Sequence, residues 1–302
     1  MNPVATWNLV QDLRQLLSYP FMVNALRAGT IVAVAAGAIG WMMVLRRESF
    51  AGHTLAVVGF PGAAAATWLG IGAGYGYFAA CIVTALVIAA LPQAARSRGT
   101  GEQSAVIGTV QAYALAAGML FVSLYKGFLS GLTNLLFGTI AGITSQQVTV
   151  LLIAAVPCLL VLALLGRPLL WASLDPETAA AQGVPVRLVA AAFMLLLGVA
   201  AAGTSQVTGS LLVFALLVSP AAAAHRLTSH PGLGVAVSVA IAVVVTWLGM
   251  GFAYFSPYPI GFWVSTFAFT CYLASAGLRT WLDRRGHLHP GRTHHAVAEV
   301  AA

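Results

Sequence analysis

The chain has 302 residues, of which 60% are apolar and only 7% are charged, and its mean hydropathy is +0.92. Soluble domains carry charge on about a quarter of their residues, so this composition excludes a soluble globular protein and predicts an integral membrane protein. The formal charge of +7 does not indicate a nucleic-acid partner, because the basic residues stand in ones and twos beside apolar segments that would lie in a lipid bilayer.

Long apolar runs without strand-like alternation predict an all-α, polytopic fold, since a helix needs roughly 20 apolar residues to cross a bilayer. Several segments are short or interrupted by Gly and Pro, which fits a helical transporter with broken or re-entrant segments better than a simple anchor. We expect roughly nine spans, within a range of eight to ten. They lie near 28–45, 51–69, 74–91, 106–124, 147–165, 188–203, 211–227, 233–255 and 260–277.

Three regions follow from these runs. Residues 1–27 form an N-terminal polar segment that lacks the pattern of a cleaved signal peptide. Residues 28–278 form the transmembrane domain, in which the Gly-rich run 128–143 is predicted to re-enter rather than to cross. Residues 279–302 form a His-rich tail that we expect to be cytoplasmic and disordered.

The basic residues indicate the orientation. With nine spans, an outside N-terminus and a cytoplasmic C-terminus, only Arg14, Arg27 and Lys126 face outward. This excess of arginine on the cytoplasmic side is typical of inner-membrane proteins. The arginines predicted to be cytoplasmic are Arg46, Arg47, Arg96, Arg98, Arg167, Arg187, Arg226, Arg279, Arg284, Arg285 and Arg292.

One polar stretch, "SLDPETAAAQGVPV" at 173–186, predicts a helix of about seven residues, 176–182. Asp175 can cap its first amides, Pro176 suits the first helical position and Glu177 suits the positive end of the helix dipole. Gly183 can end the helix in the left-handed conformation. So short a helix is unstable alone, so it either docks on a cytoplasmic partner or simply joins two spans.

Four stretches resemble the permease subunits of ATP-binding cassette (ABC) importers for zinc, manganese or iron, the ABC-3 metal permease family. They are "LRRESFAGHTLAVVGFPGAA" (45–64), "GEQSAVIGTVQAYALAAGMLFVSLYKGFLSGLTNLLFGTI" (101–140), "SLDPETAAAQGVPV" (173–186) and "VTGSLLVFALLVSPAAAAHRL" (207–227). The resemblance implies a multi-pass protein of a prokaryotic plasma membrane. The polar helix near 175–183 then corresponds to the coupling helix, which would contact a cytoplasmic ATPase through Asp175, Pro176, Glu177, Gln182 and Gly183.

The resemblance also implies the partners: an ABC ATPase, an extracytoplasmic metal-binding protein and a second copy of the chain in a homodimer. The sequence is consistent with a transport subunit that is not an enzyme. It contains no GxxxxGK[ST] phosphate-binding loop, and its one lysine, Lys126, follows Tyr125. We therefore expect no cofactor on this chain, with ATP handled by the partner and a divalent metal as the substrate.

In most members of the family the segment after the Arg-rich turn carries an Asp and, four residues later, a His, which offer two metal ligands from one helix face. Here the corresponding residues are His53 and Val57. His53 is an ionisable residue within a membrane segment, which favours a ligand on the metal path over a packing role. Imidazole suits zinc or iron better than manganese, so the residue favours zinc.

Other polar positions have two interpretations each. Pro61, Gly62, Ser219 and Pro220 match helix breaks that would line the path, or they are simple kinks. A polar cluster at the outer end of two spans either lines the mouth of the path that faces a binding protein or caps helices; it consists of Thr204, Ser205, Gln206 and Thr208. His225 and His230 favour an orienting role at helix ends. The tail histidines either collect metal or belong to a polar tail; they are His287, His289, His294 and His295.

Two alternative functions remain. The first is an ABC permease for a metal chelate such as a siderophore or cobalamin, which would have a longer chain. The second is a proton-coupled secondary metal transporter, which usually needs carboxylates within its spans. The acids of this chain lie instead in tails, loops or span ends: Asp12, Glu48, Glu102, Asp175, Glu177, Asp283 and Glu299.

Overall fold

The computed structural model describes residues 9–90, 100–124, 136–138, 142–210 and 213–287. Within these ranges the chain is helical and contains no β-strand, which confirms the all-α prediction for this part of the protein. In chain order the helices are α1 (Leu9–Ser18), α2 (Pro20–Leu45), α3 (Ser49–Trp68), α4 (Ala73–Ala90), α5 (Thr100–Leu124), α6 (Ser145–Leu174), α7 (Pro176–Ala181), α8 (Val186–Thr208), α9 (Val213–Leu227), α10 (Pro231–Phe255) and α11 (Ile260–His287).

Each of the nine predicted spans overlaps one of these helices, but the count of nine is not confirmed. Among the described residues, seven helices are long and apolar enough to cross a membrane, namely α2, α4, α5, α6, α8, α10 and α11. The short helix α9 has only 15 residues. Helix α3 is not among the seven, because its Ser, His, Thr and Gly residues lower its mean hydropathy.

The ends of the helical bundle differ from the predicted boundaries. Helix α2 begins at Pro20, a residue that suits a first helical turn, so it starts inside the segment predicted to be polar. Helix α11 continues to His287, past the predicted end of the membrane domain. Most of the predicted re-entrant run 128–143, and the tail from residue 288 onward, lie outside the described residues.

Helix α2 lies at the centre of the bundle, where it packs against α6, α8, α9 and α10. Its sequence is apolar around the whole circumference, as expected for a helix surrounded by protein. Small residues allow its neighbours to come close. A Cβ atom at Gly40 would lie 2.1 Å from the carbonyl oxygen of Leu217 in α9, and one at Gly37 would lie 2.7 Å from the Cα of Val239 in α10. Such contacts stabilise helix pairs in lipid, where no hydrophobic force drives them together.

Helix α3 is largely buried within the single chain, between α4, α5, α8 and α9. The polar helix α7 is, by contrast, mostly exposed, and it lies in the short connection between α6 and α8. The turn that joins α2 to α3, residues 46–48, packs near the end of α6, because the Arg46 guanidinium donates to the Ser173 hydroxyl at 3.1 Å. The fold therefore brings the turn before α3 next to the end of α6, the helix that precedes α7.

Candidate functional site

The structure places helix α7 at Pro176–Ala181, one residue shorter than predicted, and Asp175 is its N-cap as expected. One carboxylate oxygen of Asp175 accepts a hydrogen bond from the Thr178 amide at 3.1 Å, and the other accepts from the Thr178 hydroxyl. The hydrogen bonds from Thr178 hold the pKa of Asp175 below its usual range. The Asp175 carboxylate thus supplies the hydrogen-bond acceptors for the amide and the hydroxyl of Thr178 in the first turn of α7.

The C-terminal end of α7 is also closed locally. Gly183 adopts a φ of +84°, as expected for a glycine just past a helix end. Its amide donates to the Ala180 carbonyl at 3.0 Å, and the Val184 amide donates to the Ala179 carbonyl at 3.0 Å. This pair of bonds is the Schellman motif, which satisfies two carbonyls that a helix end leaves free.

Almost every side chain of α7 is exposed. Ala179 is the buried residue that anchors the helix, whereas Glu177 and the C-cap residue Gln182 face outward. A cavity of about 450 Å³ lies beside the helix and is lined by Arg167, Pro168, Trp171 and Val184. Helix α7 is thus capped at both ends and presents a largely exposed polar surface.

His53 lies in α3 and is half-buried. Its ring meets the ring of Phe214 in α9 edge-to-face, with 5.0 Å between the centroids. The Nδ1 atom of His53 is buried and has no hydrogen-bond partner among the described residues. The next residue, Thr54, is fully buried and its hydroxyl lies 2.9 Å from Oε1 of Gln111 in α5. The imidazole is therefore positioned between α3 and α9 with one nitrogen still unsatisfied.

The position at which the family resemblance predicts a second ligand is apolar and buried. Val57 is buried, so its side chain offers no ligand. Pro61 lies inside α3 and its nitrogen carries no hydrogen, which leaves the Val57 carbonyl without its helical donor. Gly62 brings α4 very close, because a Cβ on it would lie 2.3 Å from the carbonyl oxygen of Gly76. In the part of the chain that the structure describes, no three His, Cys, Asp or Glu side chains form a metal-binding group.

Ser219 and Pro220 lie in α9, which continues through both residues. Pro220 is buried and cannot donate to the Leu216 carbonyl, so the helix lacks one hydrogen bond there without being interrupted. The role of these residues, and of Pro61 and Gly62, as lining of a path stays a prediction.

The outer polar cluster at the end of α8 is mostly turned inward. Thr204, Ser205 and Thr208 are buried, and each hydroxyl donates to the carbonyl four residues earlier in the same helix. Gln206 differs, because its buried Nε2 atom has no hydrogen-bond partner among the described residues. The three hydroxyls are thus satisfied within their helix.

The remaining histidines occupy different surroundings. His225 lies in the last turn of α9 and stacks on Trp41 of α2, with 4.7 Å between ring centroids. Its Nε2 lies 3.0 Å from the Trp41 carbonyl oxygen, which agrees with the orienting role predicted for it. His230 is the N-cap residue of α10 and makes no side-chain cap bond. The side chain of His287 and residues His289, His294 and His295 lie outside the part that the structure describes.

Sequence reasoning treated Arg46 only as an orientation signal and missed its ion pair. The Arg46 and Glu48 side chains lie 3.0 Å apart and are only 10% and 17% exposed. The spacing alone could not have identified this pair, because Asp12 and Arg14, and also Asp283 and Arg285, lie two residues apart.

Comparison with known proteins gives this geometry a context. A model of the ABC 3 transport family matches residues 18–278. The chain belongs to this family. The manganese transport system membrane protein MntC of Halalkalibacterium halodurans is 32% identical over 223 residues, which cover 74% of this chain and 75% of that protein.

Two further relatives of this ABC 3 family member extend the comparison. The chelated iron transport system membrane protein YfeC of Yersinia pestis is 28% identical over 224 residues, which cover 74% of each chain. The solved structure of PsaBC from Streptococcus pneumoniae in complex with Fab matches with a TM-score of 0.79 and 25% identity, over 88% of this chain and 95% of that chain.

These findings confirm the family resemblance stated from the four sequence stretches. They also confirm that the chain is a membrane transport subunit of an ABC system and that the ATPase is a separate partner. With seven apolar helices among its described residues, this ABC 3 permease is a multi-pass membrane protein.

The cap of α7 generates a prediction. Asp175→Ala should speed amide hydrogen–deuterium exchange of residues 177–182 near neutral pH, because the two bonds from Thr178 are lost. Asp175→Asn is the matched control and should exchange like the wild type, since asparagine caps as well as aspartate. Folding lowers the pKa of Asp175. The carboxylate therefore stabilises α7 fully at pH values above its unfolded-state pKa of about 3.9, and this stabilisation is lost as the pH falls through the folded-state pKa. Equal exchange in Asp175→Ala and the wild type would contradict the capping role.

Proposed function

We propose that this protein is the permease of an ATP-driven importer that moves a divalent metal ion into the cytoplasm by alternating access. The observation that carries the proposal is α7, a polar helix capped at both ends, exposed and inserted between two membrane helices. Membership of the ABC 3 family supports its role as the coupling helix, on which a partner ATPase docks. Motion of that ATPase would then shift the helices on both sides of α7.

The proposed substrate is a divalent ion of zinc, manganese or iron. His53 supplies an imidazole with an unpaired nitrogen, which favours zinc or iron over manganese. The names of two relatives point instead to manganese and to chelated iron. An imidazole in place of a carboxylate also leaves the site without a negative charge, so carbonyl or hydroxyl oxygens or a second copy of His53 would have to complete the coordination.

The proposed assembly is a homodimer with the path at its two-fold axis, two ATPase subunits at the cytoplasmic face and an extracytoplasmic metal-binding protein at the outer face. In this arrangement the N-terminus lies outside and the C-terminus lies in the cytoplasm. Helix α5 supports a second copy, because it packs chiefly against α3 and leaves an apolar face free. Its exposed side chains include Tyr113, Met119 and Leu120, which lipid or another permease would cover.

The first experiment is uptake of radioactive zinc, manganese and ferrous iron by metal-starved cells that co-express the permease, its ATPase and its metal-binding protein. A second arm supplies the same metals as chelates, because the YfeC relative belongs to a chelated iron system. We expect high-affinity uptake of one free metal that disappears when the permease is deleted. Uptake of chelates alone would replace the free-ion proposal, and no uptake in either arm would reject the importer.

A second experiment addresses docking. The double variant Glu177→Trp, Gln182→Trp should reduce the ATPase rate to that of the ATPase alone, because both side chains lie on the exposed surface of α7. Ser229→Trp is the matched control, since Ser229 is also exposed and lies in the connection between α9 and α10. Membrane yield should be equal for both. Full ATPase stimulation by the double variant would remove α7 from the docking surface.

A third experiment addresses His53. His53→Ala should lower metal uptake by at least about tenfold, because even outer partners of metal ligands are typically worth that much. The exposed His230 provides the control, and His230→Ala should transport like the wild type. Protein level is measured by immunoblot in each case. Unchanged uptake by His53→Ala would assign His53 to packing against Phe214.

A further inference from the structure

Arg46 connects the turn after α2 to three other helices. It is the C-cap residue of α2 and its side chain is 10% exposed. Its Nε and Nη2 atoms donate to the two carboxylate oxygens of Glu48 at 3.1 and 3.0 Å. Its Nη1 atom donates to the hydroxyl of Ser173 at 3.1 Å, and its guanidinium carbon lies 5.2 Å from the centroid of the Phe193 ring.

The partners of Arg46 lie at particular places in the chain. Ser173 is in the last turn of α6, two residues before the N-cap of α7, and Phe193 is in α8, the helix that follows α7. Glu48 is the residue immediately before α3, the helix that carries His53. One guanidinium group therefore contacts the helices on both sides of α7 and the beginning of α3.

The chemistry of the contact requires an arginine. Only the planar guanidinium can donate two parallel bonds to a carboxylate, a third bond in another direction and still stack on an aromatic face. The pair is largely shielded from water, so its hydrogen bonds are worth more than those of a solvated ion pair. The neighbouring Arg47 shows the contrast, because it is exposed and satisfies the positive-inside pattern without such a network.

The contacts also form a mechanical connection. Helix α7 is anchored by Ala179, so a force applied to α7 passes mainly along the chain into α6 and α8. The Arg46 side chain then links the end of α6 and the buried ring of Phe193 to the turn that starts α3. In the described structure α7 makes no substantial contact with α3 itself, so this network is a route between them.

We infer that Arg46 is a positioning residue that transmits the displacement of α7 to α3, and hence to His53, during each ATPase cycle. This role rests on the proposed function as an ABC importer. It predicts that loss of the network uncouples ATP hydrolysis from metal movement, whereas the binding of the ATPase to α7 continues.

The test uses the full permease with its partner ATPase and metal-binding protein in proteoliposomes, and radioactive zinc, manganese and ferrous iron as probes. Arg46→Gln should lower the metal taken up per ATP hydrolysed by about tenfold, since it removes hydrogen bonds to a charged group. The KM for ATP and the affinity between permease and ATPase should not change. Arg46→Lys should recover part of the uptake-to-ATP ratio, because lysine keeps the positive charge but cannot donate two parallel hydrogen bonds to the carboxylate. Arg47→Gln should match the wild type.

An uptake-to-ATP ratio for Arg46→Gln equal to that of Arg47→Gln would overturn the role of Arg46. If Arg46→Gln does not reach the membrane, Glu48→Gln and Ser173→Ala test the same network with Arg46 in place. A lowered ratio in both supports the proposal, and an unchanged ratio in both overturns it.

A wild-type permease that takes up none of the metals would reject the proposed function separately. The network is then tested by amide exchange in residues 49–57 after ATPase binding. We expect a change in the wild type and in Arg47→Gln but not in Arg46→Gln, and an identical response in all three overturns the inference.

Discussion

Every peptide group within the bilayer has to find its hydrogen-bond partner inside the protein, because hydrocarbon offers no water. This requirement explains why the described part of the chain is helical and why buried hydroxyls such as those of Thr204, Ser205 and Thr208 donate to carbonyls of their own helix. It also gives meaning to the prolines at 61 and 220, each of which leaves one carbonyl without a helical donor. Pro157 and Pro168, inside α6, leave carbonyls without a helical donor in the same way. A role for the carbonyls at Pro61 and Pro220 in offering oxygen to a cation stays a proposal.

The local features of this protein could be predicted from the sequence because their causes are local. The ends of α7 depend on Asp175, Pro176 and Gly183, which lie in the helix or within two residues of it. The predicted helix end differs from the one in the structure by one residue. The apolar runs likewise located the membrane helices, although two of the nine segments do not meet the length and composition of a span. Length and apolar composition alone do not decide whether such a short helix, or one rich in small and polar residues, crosses the membrane, because burial in protein can replace burial in lipid.

The contacts that build the candidate site could not be predicted, because they join distant parts of the chain. Arg46 meets Ser173 across 127 positions, and His53 meets Phe214 through the packing of α3 on α9. The sequence identified His53 as unusual but contained no information about its neighbours. The family resemblance predicts a carboxylate and an imidazole at the two positions where this chain has His53 and Val57. The fold itself matches that of the PsaBC structure, with a TM-score of 0.79.

The double capping of α7 also affects how this surface can diversify. The bonds that hold the helix use the Asp175 side chain, the Thr178 hydroxyl and backbone groups between residues 175 and 184, and Ala179 provides the buried anchor. The side chains of Glu177, Ala181 and Gln182 are exposed. Under the proposed docking role, substitutions at these positions would alter recognition of the ATPase while the capping bonds stay in place, so subunits of different ABC systems could be kept apart by a few side chains on one scaffold.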